Sequence, residues 1–258
     1  MLGRIWAIAL NTFREAVRIK VLYGVLVVVF GANFLAIVLG AMSYHEDTRV
    51  AQDIGLAGMS IFGSLTAILL GLFLLYNEVQ RRTVHAIVSK PIERWEFVVG
   101  KWLGMALVLS VLVGLFALAM VLMLLLQGSG MNVALVQATL LAWLEVLTVA
   151  AIAIFFSSFS TPFLSGIFSL AMWLIGRVTP EIEAAAKSAS AWIRVVAHMA
   201  LEIVPDVHLM APSGRGEVTV HGAFVSWGYV AMAAGHGIGW IVGLLALACI
   251  FFHRRDFV

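Results

Sequence analysis

The chain has 258 residues, 62% of them apolar and 12% charged, with a formal net charge of +2 and a mean hydropathy of +1.04. Soluble domains average about a quarter charged residues, so there are too few polar side chains here to coat a water-soluble surface of this size, and the small, scattered charge leaves no footprint for nucleic acid. The lone cysteine, Cys249, sits inside an apolar run, which excludes an intrachain disulfide.

Reading from the start, Asn11, Thr12, Arg14, Glu15, Arg18 and Lys20 interrupt the apolar core that a cleavable signal would need. At helical spacing Ile5, Ala9, Phe13 and Val17 fall on one face and Arg4, Asn11, Glu15 and Arg18 on another, which predicts an interfacial helix over residues 2–20. Apolar runs follow at 21–42, 55–76, 98–126, 133–156, 162–177 and 224–252. A helix needs about 20 apolar residues to cross ~30 Å of hydrocarbon, so the expectation is an all-α polytopic membrane bundle of six crossings in a single domain, 1–258. The fifth run is the shortest, opened by Pro162 and closed by Arg177.

Lys and Arg set the orientation, because cytoplasmic loops carry the excess. With the N-terminus inside, eleven of the 16 basic residues lie on the inner side: Arg4, Arg14, Arg18, Lys20, Arg81, Arg82, Lys90, Arg94, Lys101, Arg254 and Arg255. Five lie outside: Arg49, Arg177, Lys187, Arg194 and Arg215. Both termini are therefore expected in the cytoplasm.

Two polar segments interrupt the runs. The cytoplasmic one, 77–97, has Glu78, Arg81 and Arg82 opening a short helix with Val84, Ile87 and Val88, stopped by Ser89-Lys90-Pro91. Spacing alone leaves two readings open, a polar loop with basic membrane anchors or a helix that seats in a partner's groove. The external segment, 178–223, alternates Glu183, Lys187, Ser190, Arg194, His198 and Glu202 with Ile182, Ala186, Ala189, Ile193, Val196 and Ala200. That pattern predicts an amphipathic helix on the outer membrane face or roofing the bundle, ended by Pro205 and Pro212, with an extended piece at Val218–Val220.

Chemistry-bearing motifs are missing: no phosphate loop, no H-E-x-x-H, no G-x-S-x-G and no paired-cysteine metal spacing. No enzymatic activity of its own is expected. Within the apolar runs, Glu145 stands out because a charge at that depth is costly; it is either a packing carboxyl paired inside the bundle or a candidate translocation-path contact. Gly235, Gly239 and Gly243 recur every four residues and give a narrow strip for close helix approach, expected to pack within the monomer. His236 is expected to hydrogen-bond between helices.

The run Glu78, Arg82-Thr83-Val84, Ser89-Lys90-Pro91-Ile92, Arg94 and Gly100-Lys101 resembles the stretch after the second membrane helix of ABC-2-type exporter permeases, especially the branch that includes permeases for multicopper-enzyme maturation and gliding motility. The basic elbow before the first crossing, Phe155–Gly166 and the His253–Phe257 tail extend the resemblance over the whole chain, although many relatives carry Gly where Arg82 stands.

The resemblance implies a permease half of about six helices, paired with a second permease copy or homologue. A separate cytoplasmic ABC ATPase subunit would bind below each half. ATP and Mg would sit on that partner, with no cofactor on this chain. The ATPase-coupling residues would be Glu78, Arg81, Arg82, Thr83, Val84, Ser89, Lys90, Pro91, Arg94 and Lys101. The location implied is the bacterial inner membrane, in contact with lipid and with a periplasmic partner as a further candidate. A copper-linked branch draws attention to His45, His198, Met199, His208, Met210 and His221, donors that suit copper, but their spacings form no recognised metal site. The alternative to export is a mechanotransmission or scaffold subunit acting on an external partner through 178–223. A secondary transporter is disfavoured by the scarcity of mid-membrane charge and the lack of an inverted repeat.

Overall fold

The computed structural model describes residues 1–18, 47–80, 93–126, 133–211 and 225–254, together with Tyr23, Gly24, Val27 and Gly31. They form helices α1 (Leu2–Arg18), α2 (Asp47–Gln80), α3 (Arg94–Leu126), α4 (Val133–Phe159), α5 (Pro162–Arg177), α6 (Thr179–Ser188), α7 (Ala191–Ile203) and α8 (Trp227–Arg254), with a 3-10 turn at Val207–Met210. Gln52–Phe73, Arg94–Leu122, Val133–Phe159 and Trp227–Phe252 are long and apolar enough to cross a membrane, and α5 with α6 makes a fifth candidate bent by 66°. The chain is thus an all-helical, multi-pass membrane bundle. The first run, 21–42, lies outside the described residues but for four positions.

Helix α4 is the axis. It is apolar all round and alanine-rich, the pattern of a helix enclosed by others, and Val146 and Val149–Ala153 are fully buried. Helix α2 lies alongside in the same direction. A Cβ on Gly63 would meet Val146, and one on Gly71 would stand 2.5 Å from Cβ of Ala153. Between membrane helices the contact rests on close packing more than on exclusion of water, so these small residues set the α2–α4 distance. Helix α3 runs the other way, tied to α4 by Trp143 Nε1 donating to Ser110 Oγ at 2.8 Å. Its outer face exposes Val111, Leu115, Leu118, Leu122 and Leu125, at alternating spacings of four and three, as a lipid-facing stripe.

Helix α8 follows α4 from Val230 and Ala233 beside Leu141 and Leu144 to Phe251 against Phe155. Phe252 then stacks on Phe97 near the start of α3, with ring centroids 5.6 Å apart. One end of the bundle therefore collects α1, the start of α3 and the ends of α4 and α8. Helix α1 has the predicted amphipathic character, and its buried line is Ile5, Ala9, Thr12 and Ala16. That line lies on α3. A Cβ on Gly104 would sit 2.5 Å from Thr12 Cβ and 2.6 Å from the Ala9 carbonyl oxygen.

The fifth crossing is broken. Its 16 residues rise about 24 Å at 1.5 Å per residue, short of the ~30 Å hydrocarbon core. The place beyond its end is taken by the returning chain: Val207 and Met210 are fully buried, and a Cβ on Gly176 would stand 2.3 Å from the Pro205 carbonyl oxygen. The 3-10 turn is non-α-helical backbone held inside protein, and Tyr229 Oη donates to the Leu209 carbonyl at 2.8 Å.

Three expectations change here. The amphipathic segment is two helices, separated where Ala189 and Ser190 adopt extended backbone, and its end, residues 204–211, tucks into the bundle; Val218–Val220 lies outside the described residues. Helix α2 runs unbroken to Gln80, because Asn77-Glu78-Val79-Gln80 contains no breaker, so Glu78 lies within a long helix and does not open a short one; the rest of the expected short helix lies outside the described residues. The glycine strip meets no neighbour among the described residues: none of them lies within 4 Å of a Cβ on Gly235, Gly239 or Gly243, whereas Gly237 meets the Met210 sulfur. The returning segment occupies the Gly237 face, and the strip's residues lie around the helix from it.

Gly104→Ala should destabilise the protein by about 1–3 kcal/mol, because the clash is partly with backbone, whereas Gly239→Ala should be neutral or slightly stabilising. Thermal unfolding in nanodiscs compares the two.

Candidate functional site

Two polar clusters interrupt the apolar bundle. At the α1 end, Glu93 precedes α3 and Glu96 sits three residues on; the Glu93 N–H donates to Glu96 Oε2 at 3.3 Å, one half of a capping box. Trp95 Nε1 donates to the Glu93 carboxylate. Glu96 is 1% exposed, and an Arg4 guanidinium nitrogen stands 3.9 Å from its Oε2. Lys101, equally buried, places Nζ 3.6 Å from Glu15 Oε2 and 5.8 Å from the Phe97 ring centroid. Two oppositely directed ion pairs, Arg4–Glu96 and Lys101–Glu15, thus flank the glycine contact between α1 and α3. Arg94 donates to the Phe252 carbonyl at 3.2 Å. That oxygen belongs to the last described turn of α8, and a cation is favoured towards the C-terminal end of a helix.

Of the predicted coupling residues, Arg94 and Lys101 are brought to this end, where both hold helices together. Glu78 lies in the last turn of α2. Arg81, Arg82, Thr83, Val84, Ser89, Lys90 and Pro91 lie outside the described residues.

The second cluster is built around Glu145, which is fully buried on α4. Arg177, the last residue of α5, donates to Glu145 Oε1 at 2.8 Å and to Ser60 Oγ on α2 at 2.6 Å. Trp173 Nε1, one turn earlier, donates to the same Oε1 at 3.1 Å, and Ser60 Oγ donates to Oε2. The Arg177 guanidinium carbon lies 5.7 Å from the Trp173 ring centroid. Three donors meet one carboxylate, and three helices meet at one point. Glu145 faces other helices of the same protomer here. Sequence reading placed Arg177 at the outer end of the fifth run and passed over Ser60 and Trp173. The available signal was an arginine ending a run too short to cross, with an unpaired carboxyl in the preceding helix.

Near the 3-10 turn, Asp206 and His236 each hold a buried side-chain atom, Oδ1 and Nε2, with no hydrogen-bond partner among the described residues. Burial pushes the Asp206 carboxyl up from its ordinary range, with His208 and His236 drawing it back and Glu183 adding to the rise. The residues considered for copper are dispersed: His198 and Met199 lie on α7, where no residue is buried, His208 and Met210 are buried in the turn, and His45 and His221 lie outside the described residues. Among the described residues no three His, Cys, Asp or Glu side chains are grouped to hold a metal ion.

Residues 6–257 match the family model described as ABC-2 family transporter protein. No curated protein matches the chain.

Breaking a buried ion pair by removing one partner costs about 3–5 kcal/mol, while replacing both by neutral groups is close to neutral. Arg177→Met should therefore unfold at markedly lower temperature, and Glu145→Gln/Arg177→Met should regain most of the loss, read as a double-mutant cycle in nanodiscs. Asp206 binds its proton more tightly folded than unfolded, so its contribution is present at low pH and lost as pH rises past the ordinary carboxyl value. Asp206→Asn should raise the melting temperature at neutral pH, with the gain fading towards pH about 4.

Proposed function

We propose, since the chain belongs to the ABC-2 family of transporter proteins, that it is the membrane-spanning subunit of an ATP-driven exporter in which a separate cytoplasmic ATPase performs the hydrolysis. The α1 end would face the cytoplasm of a bacterial cell, with the bundle in the inner membrane beside lipid and a second copy or homologue completing the transporter. Mg-ATP would be held by the partner.

The observation that carries this reading is the assembly at the α1 end. Helix α1 is riveted to α3 by Arg4–Glu96, Lys101–Glu15 and the Gly100 and Gly104 contacts, and α3 is tied to α8 through Arg94. Helix α2 continues unbroken to Gln80, next to the segment that resembles a coupling loop. A stiff platform is what a motor needs to push on. ATP shifts the permease only if the ATPase contacts differ between its two states, and Glu78 at the tip of α2, with Arg81 and Arg82 after it, would provide such charged contacts.

A second reading, force passed to an external partner with nothing crossing the bundle, is favoured by α7. None of its residues is buried, and Trp192, Val196, Met199 and Ile203 stand exposed along it.

Affinity purification of the full chain from its own membranes in mild detergent should bring down an ATPase subunit in stoichiometric amount. Glu78→Lys should still assemble with that subunit but lose the permease's stimulation of ATP turnover. A Glu78→Lys complex with full stimulation would remove Glu78 from the coupling contact.

A further inference from the structure

We infer that Arg177 is the joint through which movement of α2 reaches the α6–α7 roof, an assignment that rests on the chain being ATP-driven. Helix α2 is a single 34-residue rod. Glu78 near one end and Ser60 are 18 residues apart, about 27 Å along the axis. At Ser60 the rod meets Arg177 at 2.6 Å, and Arg177 closes α5 immediately before the 66° bend into α6.

The bend is gripped from two sides. On the bundle side Arg177 holds Ser60 and Glu145; on the other, Gly176 is pressed against the Pro205 carbonyl and Val207, so the returning chain moves with the bend. At the start of α5, Ser165 Oγ donates to the Phe156 carbonyl at 3.1 Å, which fixes that end to α4. Helix α5 is therefore pinned at both ends, and among the described residues the Arg177 end is the one with a charged contact shared with α2. Beyond it, α7 buries none of its residues and follows α6. A displacement of α2 relative to α4 must either stretch the Ser60–Arg177–Glu145 contacts or carry the bend, and the roof, with it. Charge-assisted guanidinium hydrogen bonds are strong, and the planar fork can exchange one acceptor for the other, which suits a two-position joint.

The test uses the permease with its co-purified ATPase in nanodiscs, carrying Cys249→Ser and spin labels at Met199→Cys on α7 and Val133→Cys at the start of α4. In the otherwise unaltered chain, ATP should shift the label-to-label distance. In Glu145→Gln/Arg177→Met the shift should be lost while ATP hydrolysis continues. A purely structural role predicts an undiminished shift in that neutral pair, and this result overturns the assignment. Absence of any shift in the unaltered chain overturns the ATP-driven reading itself. Should the neutral pair fail to fold, Ser60→Ala keeps the ion pair and removes only the α2 arm; its shift should shrink, and a full-sized shift again overturns the joint.

Discussion

The Glu145–Arg177 contact is the constraint around which the rest of the bundle is arranged. A fully buried carboxylate on the most enclosed helix of a membrane bundle is costly to keep charged without a partner. Its partner comes from the end of a helix too short to cross, and that shortness lets a guanidinium reach the carboxylate from within protein. Had α5 run several residues further, Arg177 would sit mid-helix and the segment 204–211 would have no place beside Gly176. The ion pair, the broken crossing and the inward-folded turn are therefore one solution.

The remaining architecture is set by small residues. Lipid is as apolar as leucine, so apolar side chains gain little by leaving it for one another, and helix contacts depend on how closely backbones approach. Gly63 and Gly71 bring α2 close against α4, and Gly100 and Gly104 bring α1 close against α3. Hydroxyls are kept from competing: Thr148, Thr139 and Ser110 bond to carbonyls four residues back on their own helices. Charge appears where it joins elements, at α1 with α3, at α3 with α8, and at α2, α4 and α5.

Much of this was readable from the sequence, because the length and continuity of an apolar run report directly on a crossing. Helices α3, α4 and α8 begin or end within a few residues of their runs, and the amphipathic α1 was visible in its periodicity. Glu145 was visible as an anomaly, since its depth follows from its run. What could not be read were matters of facing. Arg177 looks like any basic residue closing a membrane helix, and only the bend shows that it points inward. The spacing of Gly235, Gly239 and Gly243 is identical whether the strip meets a helix or lipid, and a neighbour for Gly237 appears only once residues 205–211 fold back. Lys101 read as a coupling residue and Glu96 drew no attention, because sequence does not reveal that both are buried beside α1.

The two polar clusters differ in a way that bears on how such a bundle moves. At the α1 end the pairs are doubled and oppositely directed, Arg4 to Glu96 and Glu15 to Lys101, so sliding α1 along α3 strains both, and the pair of helices behaves as one body. In the inner cluster Arg177 bonds an acceptor on each of two helices, Ser60 on α2 and Glu145 on α4. It can give up one bond and keep the other, so it tolerates a relative shift of α2 and α4 that the outer clamp does not. The α1–α3 pairs therefore hold two helices in one register, while the inner cluster lets α2 and α4 exchange one bond for another within the same chain.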